Sequence, residues 1–308
     1  MTARFHLSVP TTQKGAPARL PDFITDIRPR PGIREQRATA RAAQLTGLDG
    51  VYVPFDPDGL ESLVVAGGLL RESSTLQVTA EFHPAAANPV YAAKLTASAQ
   101  RYAASRLSWR LAIDLDPAVA RAHGDFLDAD DRYARAAEFL TVAKGVWAAH
   151  DNSAGRNPDN RYDFEGRFYQ VLGGGFPTSR SNPQFPKVYL SGTSDAALEL
   201  SEAHADVHVF VPGEDRAVLP AGVLAGITVP VVVGEDDAEA ALAAQRTDYV
   251  ALPGLVAGAY ERVADALAEY AAQGISEFFI QTPDPVADGY LFGQHVLPLL
   301  QKEASRVG

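Results

Sequence analysis

Pro186-Lys187-Val188-Tyr189-Leu190-Ser191-Gly192-Thr193-Ser194-Asp195-Ala196-Ala197 passes from a β-rich run through a hydroxyl-rich turn into a helix start. Repetition of that unit decides the fold. Strands are predicted at eight places: Phe5–Val9, Gly50–Val53, Thr75–Phe82, Leu107–Leu115, Lys187–Leu190, Asp206–Val211, Gly226–Val233 and Ser276–Gln281. Most are nearly continuous in Val, Ile, Leu, Phe and Tyr, as parallel strands covered on both faces require. Helical spacing is found at Ile33–Thr46, Leu60–Leu70, Pro89–Ala104, Asp131–His150, Thr193–Ala203, Asp236–Ala244, Val256–Gln273 and Asp288–Glu303. Gly47 and Gly274 suit left-handed helix ends, and Pro89 suits a first turn where its missing N–H costs nothing. Eight such units close into an α/β fold of the (β/α)8 TIM-barrel type. An open doubly wound sheet would carry a glycine-rich turn after the first strand. Pro10-Thr11-Thr12-Gln13-Lys14-Gly15 stands there instead.

The 308 residues suit a single barrel domain over 1–308, with a loop insertion at about 151–187 in which Tyr162–Tyr169 alternates like a small hairpin. Apolar residues make up 46%, enough for a large core. A formal charge of −11 repels phosphate backbones and anionic lipid, so neither nucleic acid nor membrane is expected as a partner. With no cysteine, disulfides, thiolate metal sites and a cysteine nucleophile are excluded. Met1–Pro10 has no apolar signal region, and a cytoplasmic protein is expected.

Six local patterns follow in order. Leu48-Asp49-Gly50-Val51-Tyr52-Val53-Pro54 covers the second strand. Phe82-His83-Pro84 through Asn88-Pro89-Val90-Tyr91-Ala92-Ala93-Lys94 follows the third. Gly124-Asp125-Phe126-Leu127, then Asp131-Arg132-Tyr133 and Glu138-Phe139-Leu140, form the approach to the long helix and its start. Tyr162–Tyr169, Pro186–Ala197, and Glu269-Tyr270 to Gly274-Ile275 with Phe292-Gly293 to Leu297-Pro298 complete the set. In this register they resemble the bacterial luciferase-like flavin-dependent monooxygenases, most closely the alkanesulfonate monooxygenase branch, over nearly the whole chain.

A helix start with N–H groups and hydroxyls, as at Ser191-Gly192-Thr193-Ser194, favours a phosphate dianion, and it also suits an ordinary N-cap at Thr193 or Ser194. The resemblance implies that Ser191, Gly192, Thr193 and Ser194 hold the phosphate of FMN. It also implies that Tyr133, Phe82 and His83 line the flavin ring or ribityl chain. On physical grounds alone Tyr133 suits a half-buried place packed on the barrel rim. His83 ends the third strand, on the face where barrel active sites form, and stands where the family commonly has arginine. It is the candidate catalytic residue, donating to a flavin carbonyl or a substrate anion, and a structural histidine suits the same place. No metal site is expected: His204 and His208 flank the sixth strand without a completing carboxylate pattern. Asp128, Asp130, Asp131 and Glu138 suit a solvated helix start.

The departures bear on the substrate. Where the family has asparagine, threonine and glycine on its fourth strand, this chain has Arg110, Ile113 and Asp114. Asp114 is expected to repel an anionic cofactor unless Arg110 offsets it. The family's histidine after strand one is absent from Pro10–Lys14, and its cysteine after strand two falls at Gly59. The arginine and histidine of its seventh strand fall at Thr228 and Pro230. The segment after its last strand becomes Gln281-Thr282-Pro283-Asp284-Pro285, and its long insertion after strand six shrinks to Pro212–Ala225. The expectation is an FMN-dependent oxidoreductase acting on a small organic molecule other than an alkanesulfonate. Its flavin is reduced by a separate reductase and the protein is a homo-oligomer. The alternatives are a deazaflavin cofactor, or a non-catalytic barrel that binds flavin weakly or not at all and pairs with a paralogous subunit.

Overall fold

The computed structural model describes residues 3–12, 33–149, 161–176 and 184–307. Eight parallel strands form a closed ring: β1 (Arg4–Ser8), β2 (Gly50–Val53), β3 (Gln77–Phe82), β4 (Leu107–Leu111), β7 (Val188–Leu190), β8 (Val207–Phe210), β9 (Leu224–Gly234) and β11 (Ile275–Gln281). Pairing runs β9–β11–β1–β2–β3–β4–β7–β8, and β8 returns to β9 to close the barrel. All eight predicted strands are present.

Helices α1 (Arg34–Leu45), α2 (Ser62–Glu72), α3 (Pro89–Ala103), α4 (Pro117–Ala122) and α5 (Ala129–Ala148) cover one part of the outside. The rest is covered by α6 (Asp195–His204), α7 (Asp237–Gln245), α8 (Tyr260–Ala272), α9 (Ala287–Leu291) and α10 (Leu297–Val307). Strands β5 (Tyr162–Glu165) and β6 (Gln170–Gly174) make an antiparallel hairpin. Glu138 on α5 pins its turn by accepting the N–H groups of Arg167, Phe168 and Tyr169 at 2.7–3.0 Å. Glu138 lies mid-way along α5 and is half-buried, so this carboxylate is a structural anchor and not, as expected, a charge on a solvated helix start.

Alternation sorts the side chains. On β4, Trp109 faces outward onto Phe82, Phe139 and Phe185 and donates to Thr96 on α3 at 2.9 Å. Its neighbour Arg110 points into the lumen and reaches Thr228 on β9, a strand that β4 does not pair with. The lumen holds a small apolar layer of Tyr52, Tyr189, Val207, Val209 and Phe279. Below it Glu277 accepts from His6 at 2.8 Å and pairs with Lys187. Burial would raise the Glu277 carboxyl, but His6 and Lys187 outweigh it and hold it at about 2. This tie binds three strands at the N-terminal end of the barrel.

Two predicted helices differ. Val256–Gln273 divides into β10 (Val256–Ala259) and α8, because Val231–Gly234 of β9 runs on past the barrel and pairs with β10. Asp288–Glu303 contains a π-turn at Phe292–Val296 between α9 and α10. Pro298, at the second position of α10, cannot donate to the preceding turn, and its ring pushes that turn wide. Gly293 packs there so closely that a β-carbon would fall 2.1 Å from Thr46. No described helix is long and apolar enough to cross a membrane.

Candidate active site

Barrel enzymes place their sites at the C-terminal strand ends. Here that end is floored by an ion pair. Arg110 Nε lies 3.1 Å from Glu81 Oε1, and Arg110 Nη1 donates to Thr228 Oγ1 at 3.0 Å. The guanidinium is sandwiched 5.0 Å from the Tyr52 ring and 5.2 Å from that of Phe279. Glu81 Oε2 accepts the Tyr52 hydroxyl and, at 3.0 Å, the Phe55 N–H. Burial works against the Arg110 charge, but Tyr52 and Glu81 outweigh it, and the group sits above its ordinary range. Burial, with help from Glu81, keeps Tyr52 protonated.

Beside this floor, between the ends of β1, β2 and β11, lies a cavity of about 410 Å3. Thr11, Thr39, Thr282 and Tyr249 bring hydroxyls to it, and Glu35 and Asp284 bring carboxylates. Beneath Thr282 is Asp288, which accepts the Asp284 N–H at 3.0 Å and is pushed up to about 6 by burial.

Across the mouth, Ser191–Ser194 join β7 to α6. Ser194 is the N-cap and accepts the Ala197 N–H at 3.2 Å. Gly192 has φ +110, and a β-carbon on it would lie 2.5 Å from Tyr133 Oη and 3.1 Å from Asp114 Oδ2. Tyr133 Oη donates to Asp114 Oδ2 at 2.5 Å. Burial and Asp114 together hold that phenol above its ordinary range. Arg110 does not offset Asp114: its partners are Glu81 and Thr228, whereas Asp114 is held by Tyr133.

A third cluster ties β3 to α5. His83 is 1% exposed, with Nδ1 2.7 Å from the Ala112 carbonyl and Nε2 2.9 Å from Asp125 Oδ2. Burial takes His83 below its ordinary range despite these two acceptors. Asp125 also pairs with Arg135 at 2.7 Å and Arg132 at 3.4 Å. Burial would raise its carboxyl, but Arg135, the Leu127 N–H and His83 hold it at about 2.

A sequence profile of luciferase-like monooxygenases matches residues 3–221, well over half of the chain. The chain belongs to the luciferase-like monooxygenase family. Among solved structures, EDTA monooxygenase (EmoA) from Chelativorans sp. BNC1 is 19% identical over 87% of this chain and 86% of that one, with TM-score 0.70. Riboflavin lyase (RcaE), solved with modified FMN and riboflavin, is 18% identical over 99% and 92%, with TM-score 0.75. An F420-dependent secondary alcohol dehydrogenase with an F420–acetone adduct is 14% identical over 97% and 99%, with TM-score 0.71. At these identities the likeness is one of fold.

Within this luciferase-like barrel the expected site residues separate. Tyr133 and the Ser191–Ser194 turn meet, with Asp114 between them. Phe82 does not line the mouth: its ring, 3% exposed, stands edge-on to Trp109 in the layer between barrel and helices. His83 has both ring nitrogens engaged and no exposed face for a cofactor or substrate. It positions the β3 end. Glu81 and Arg135 had no motif to mark them, and Asp125 stood in the Gly124–Leu127 pattern without an assigned role. The one available signal was carboxylates and arginines at strand ends in a barrel, where each buried charge needs a partner. Gln13 and Lys14 of the first-strand segment, and His150, lie outside the described residues.

Proposed function

We propose that this chain is a flavin-dependent oxidoreductase of the monooxygenase type, acting on a small organic molecule other than an alkanesulfonate. What carries the proposal is the convergence, at one end of a luciferase-like barrel, of the Ser191–Ser194 turn with Tyr133 on one side and an open cavity on the other. The turn fits a phosphate ester in its donors: the Ser191 and Thr193 hydroxyls and the first-turn N–H groups of α6, at the positive end of a ten-residue helix. Ser191 and Thr193 would hold the phosphate beside Tyr133, whose hydroxyl hydrogen goes to Asp114, and Asp114 would weaken the site without closing it. Reduced by a separate reductase, a bound flavin supplies the electrons that activate dioxygen for transfer of one oxygen atom to the substrate. The Arg110–Glu81 floor, with its rings, keeps water out of the lumen below. Thr228 and Pro230, which carry no charge, replace the pair that would receive a sulfonate.

The test is a fluorescence titration with FMN, riboflavin and a deazaflavin cofactor, followed by oxygen uptake with a reductase and NADH. A saturable quench with FMN or the deazaflavin is expected; none with either would overturn the proposal. Asp114 favours one second reading, a non-catalytic barrel that binds flavin weakly or not at all and serves as a partner subunit. Absence of binding supports that reading.

A further inference from the structure

The residues that leave β4, Ala112–Leu115, belong to no strand or helix, yet they carry Asp114 to the Ser191–Ser194 turn. A segment without a ladder is aimed by whatever else holds its backbone. Ile113 is buried in the same apolar cluster as Phe82 and Trp109 and anchors the middle. The carbonyls on either side of Asp114 are held from one place. That of Ala112 lies 2.7 Å from His83 Nδ1, and that of Leu115 accepts from Arg132 Nη1 at 3.3 Å. Both side chains are buried, and both also reach Asp125, His83 Nε2 at 2.9 Å and Arg132 Nε at 3.4 Å. Asp114 itself is exposed, and its carboxylate takes the Tyr133 hydroxyl.

His83 serves both of its contacts in one state only. Its two ring nitrogens face acceptors, the Ala112 carbonyl and the Asp125 carboxylate, and a neutral imidazole has a single N–H. The charged acceptor binds a proton more strongly, so a neutral ring keeps its N–H on Nε2 and turns a lone pair on Ala112. Burial draws the ring below its ordinary range against Ala112 and Asp125, and Arg135 adds to that pull. Arg132 and Arg135 of α5 stand around Asp125, Tyr169 of the hairpin is kept protonated by burial, and the Phe55 ring lies 6.3 Å from His83.

We infer that His83 is a positioning residue for Asp114: by holding the Ala112 carbonyl, with Arg132 holding that of Leu115, it fixes the Asp114 carboxylate at the turn, and its hold loosens when the ring gives up a proton. The bearing of this clamp on phosphate rests on the flavin-dependent reading; its hold on Asp114 does not.

The first test uses the full chain without cofactor, with carbon-13 in its tyrosine and histidine rings. Tyr133 stays un-ionised between about pH 5 and 8, so its Cζ resonance reports its bond to Asp114. In the wild type that resonance is expected to move with the same midpoint as the His83 Cε1 resonance. His83→Asn keeps an amide donor at the level of Nδ1 and should hold the resonance at its low-pH position. His83→Gln carries the amide to the level of Nε2, frees Ala112 and should hold it at its high-pH position. A Tyr133 resonance that does not follow His83 in the wild type, or that is the same in both variants, would overturn the inference. The second test is a double-mutant cycle on flavin quenching at low salt. His83→Gln is expected to tighten FMN about three-fold and leave riboflavin unchanged, and adding it to Asp114→Asn should bring no further gain. A merely structural role moves both flavins alike, and gains that multiply mean that the two residues act apart; either result overturns the clamp. A Tyr133 resonance that follows His83 with no flavin quench removes the flavin-dependent reading alone. Flavin quench with an unmoved Tyr133 removes the clamp alone.

Discussion

Replacing Asp114 with asparagine is expected to raise FMN affinity about ten-fold at low salt while leaving riboflavin unchanged. Asp114 Oδ2 lies 2.5 Å from Tyr133 Oη and 3.1 Å from where a Gly192 β-carbon would sit. A phosphate received by the turn therefore lies roughly 5 Å from the carboxylate. Unit charges at that separation in water repel by about 0.8 kcal/mol, and a phosphate monoester carries about −1.5 to −2. The repulsion comes to about 1.2–1.7 kcal/mol, close to one decade in Kd. At ~0.15 M ionic strength the ~8 Å Debye length roughly halves it, leaving about a three- to four-fold difference. Asparagine keeps an oxygen for the Tyr133 hydroxyl, so the local packing survives. The assay is fluorescence quenching with FMN and riboflavin at two ionic strengths, for both proteins. An FMN affinity that does not respond to the substitution at low salt, or a riboflavin affinity that rises equally, refutes the placement of the phosphate at this turn.

Arg110→Met leaves Glu81 buried without its cation, and urea unfolding should show a loss of about 3–5 kcal/mol. Adding Glu81→Gln should restore most of it, and failure to do so would mean that the pair is not the cause. Asp288 titrates at about 6 in the fold, above the ordinary value of 3.8. Its contribution is therefore complete below pH 4 and lost as pH rises through 6. Asp288→Asn should stabilise the protein at pH 8, by up to about 3 kcal/mol, and have little effect near pH 4. Thermal melts at the two pH values check this, and equal shifts at both contradict it. Sulfite release from a panel of alkanesulfonates, with reduced FMN in excess, should stay at background; release at an efficient enzyme's rate would mean that other residues supply the anion site.

The barrel was legible because most buried strands are nearly continuous apolar runs and several of the following helices open with a cap, as at Ser194, Asn88 and Asp128. Pattern is a local property, so it failed where a partner decides. Val256–Ala259 has helical spacing but is a strand, because Val231–Gly234 offers it an edge. The site was legible only in part, for a related reason. A motif can place Tyr133 beside the Ser191–Ser194 turn, since a family register fixes both. It cannot say which way a strand-end side chain faces, and Phe82 and His83 turn outward or into a salt-bridge cluster. Arg110 and Thr228 stood out singly as departures from the family. That one answers the other across the lumen needs the closed ring, which brings residues 118 positions apart to 3.0 Å.

That pairing shapes the electrostatics of the whole mouth. The guanidinium on β4 is bound by Glu81 and two rings instead of facing a ligand. Arg132 and Arg135 are both engaged by buried Asp125. Among the described residues, the cations at this end of the barrel are thus neutralised from within, whereas Glu35, Asp284 and Asp114 have no ion pair there. We propose that this negative mouth weakens phosphate binding at the turn. Added salt should then tighten FMN binding and leave riboflavin unmoved. If salt moved FMN and riboflavin affinities equally, local contacts and not a common field would be setting the selectivity of this site.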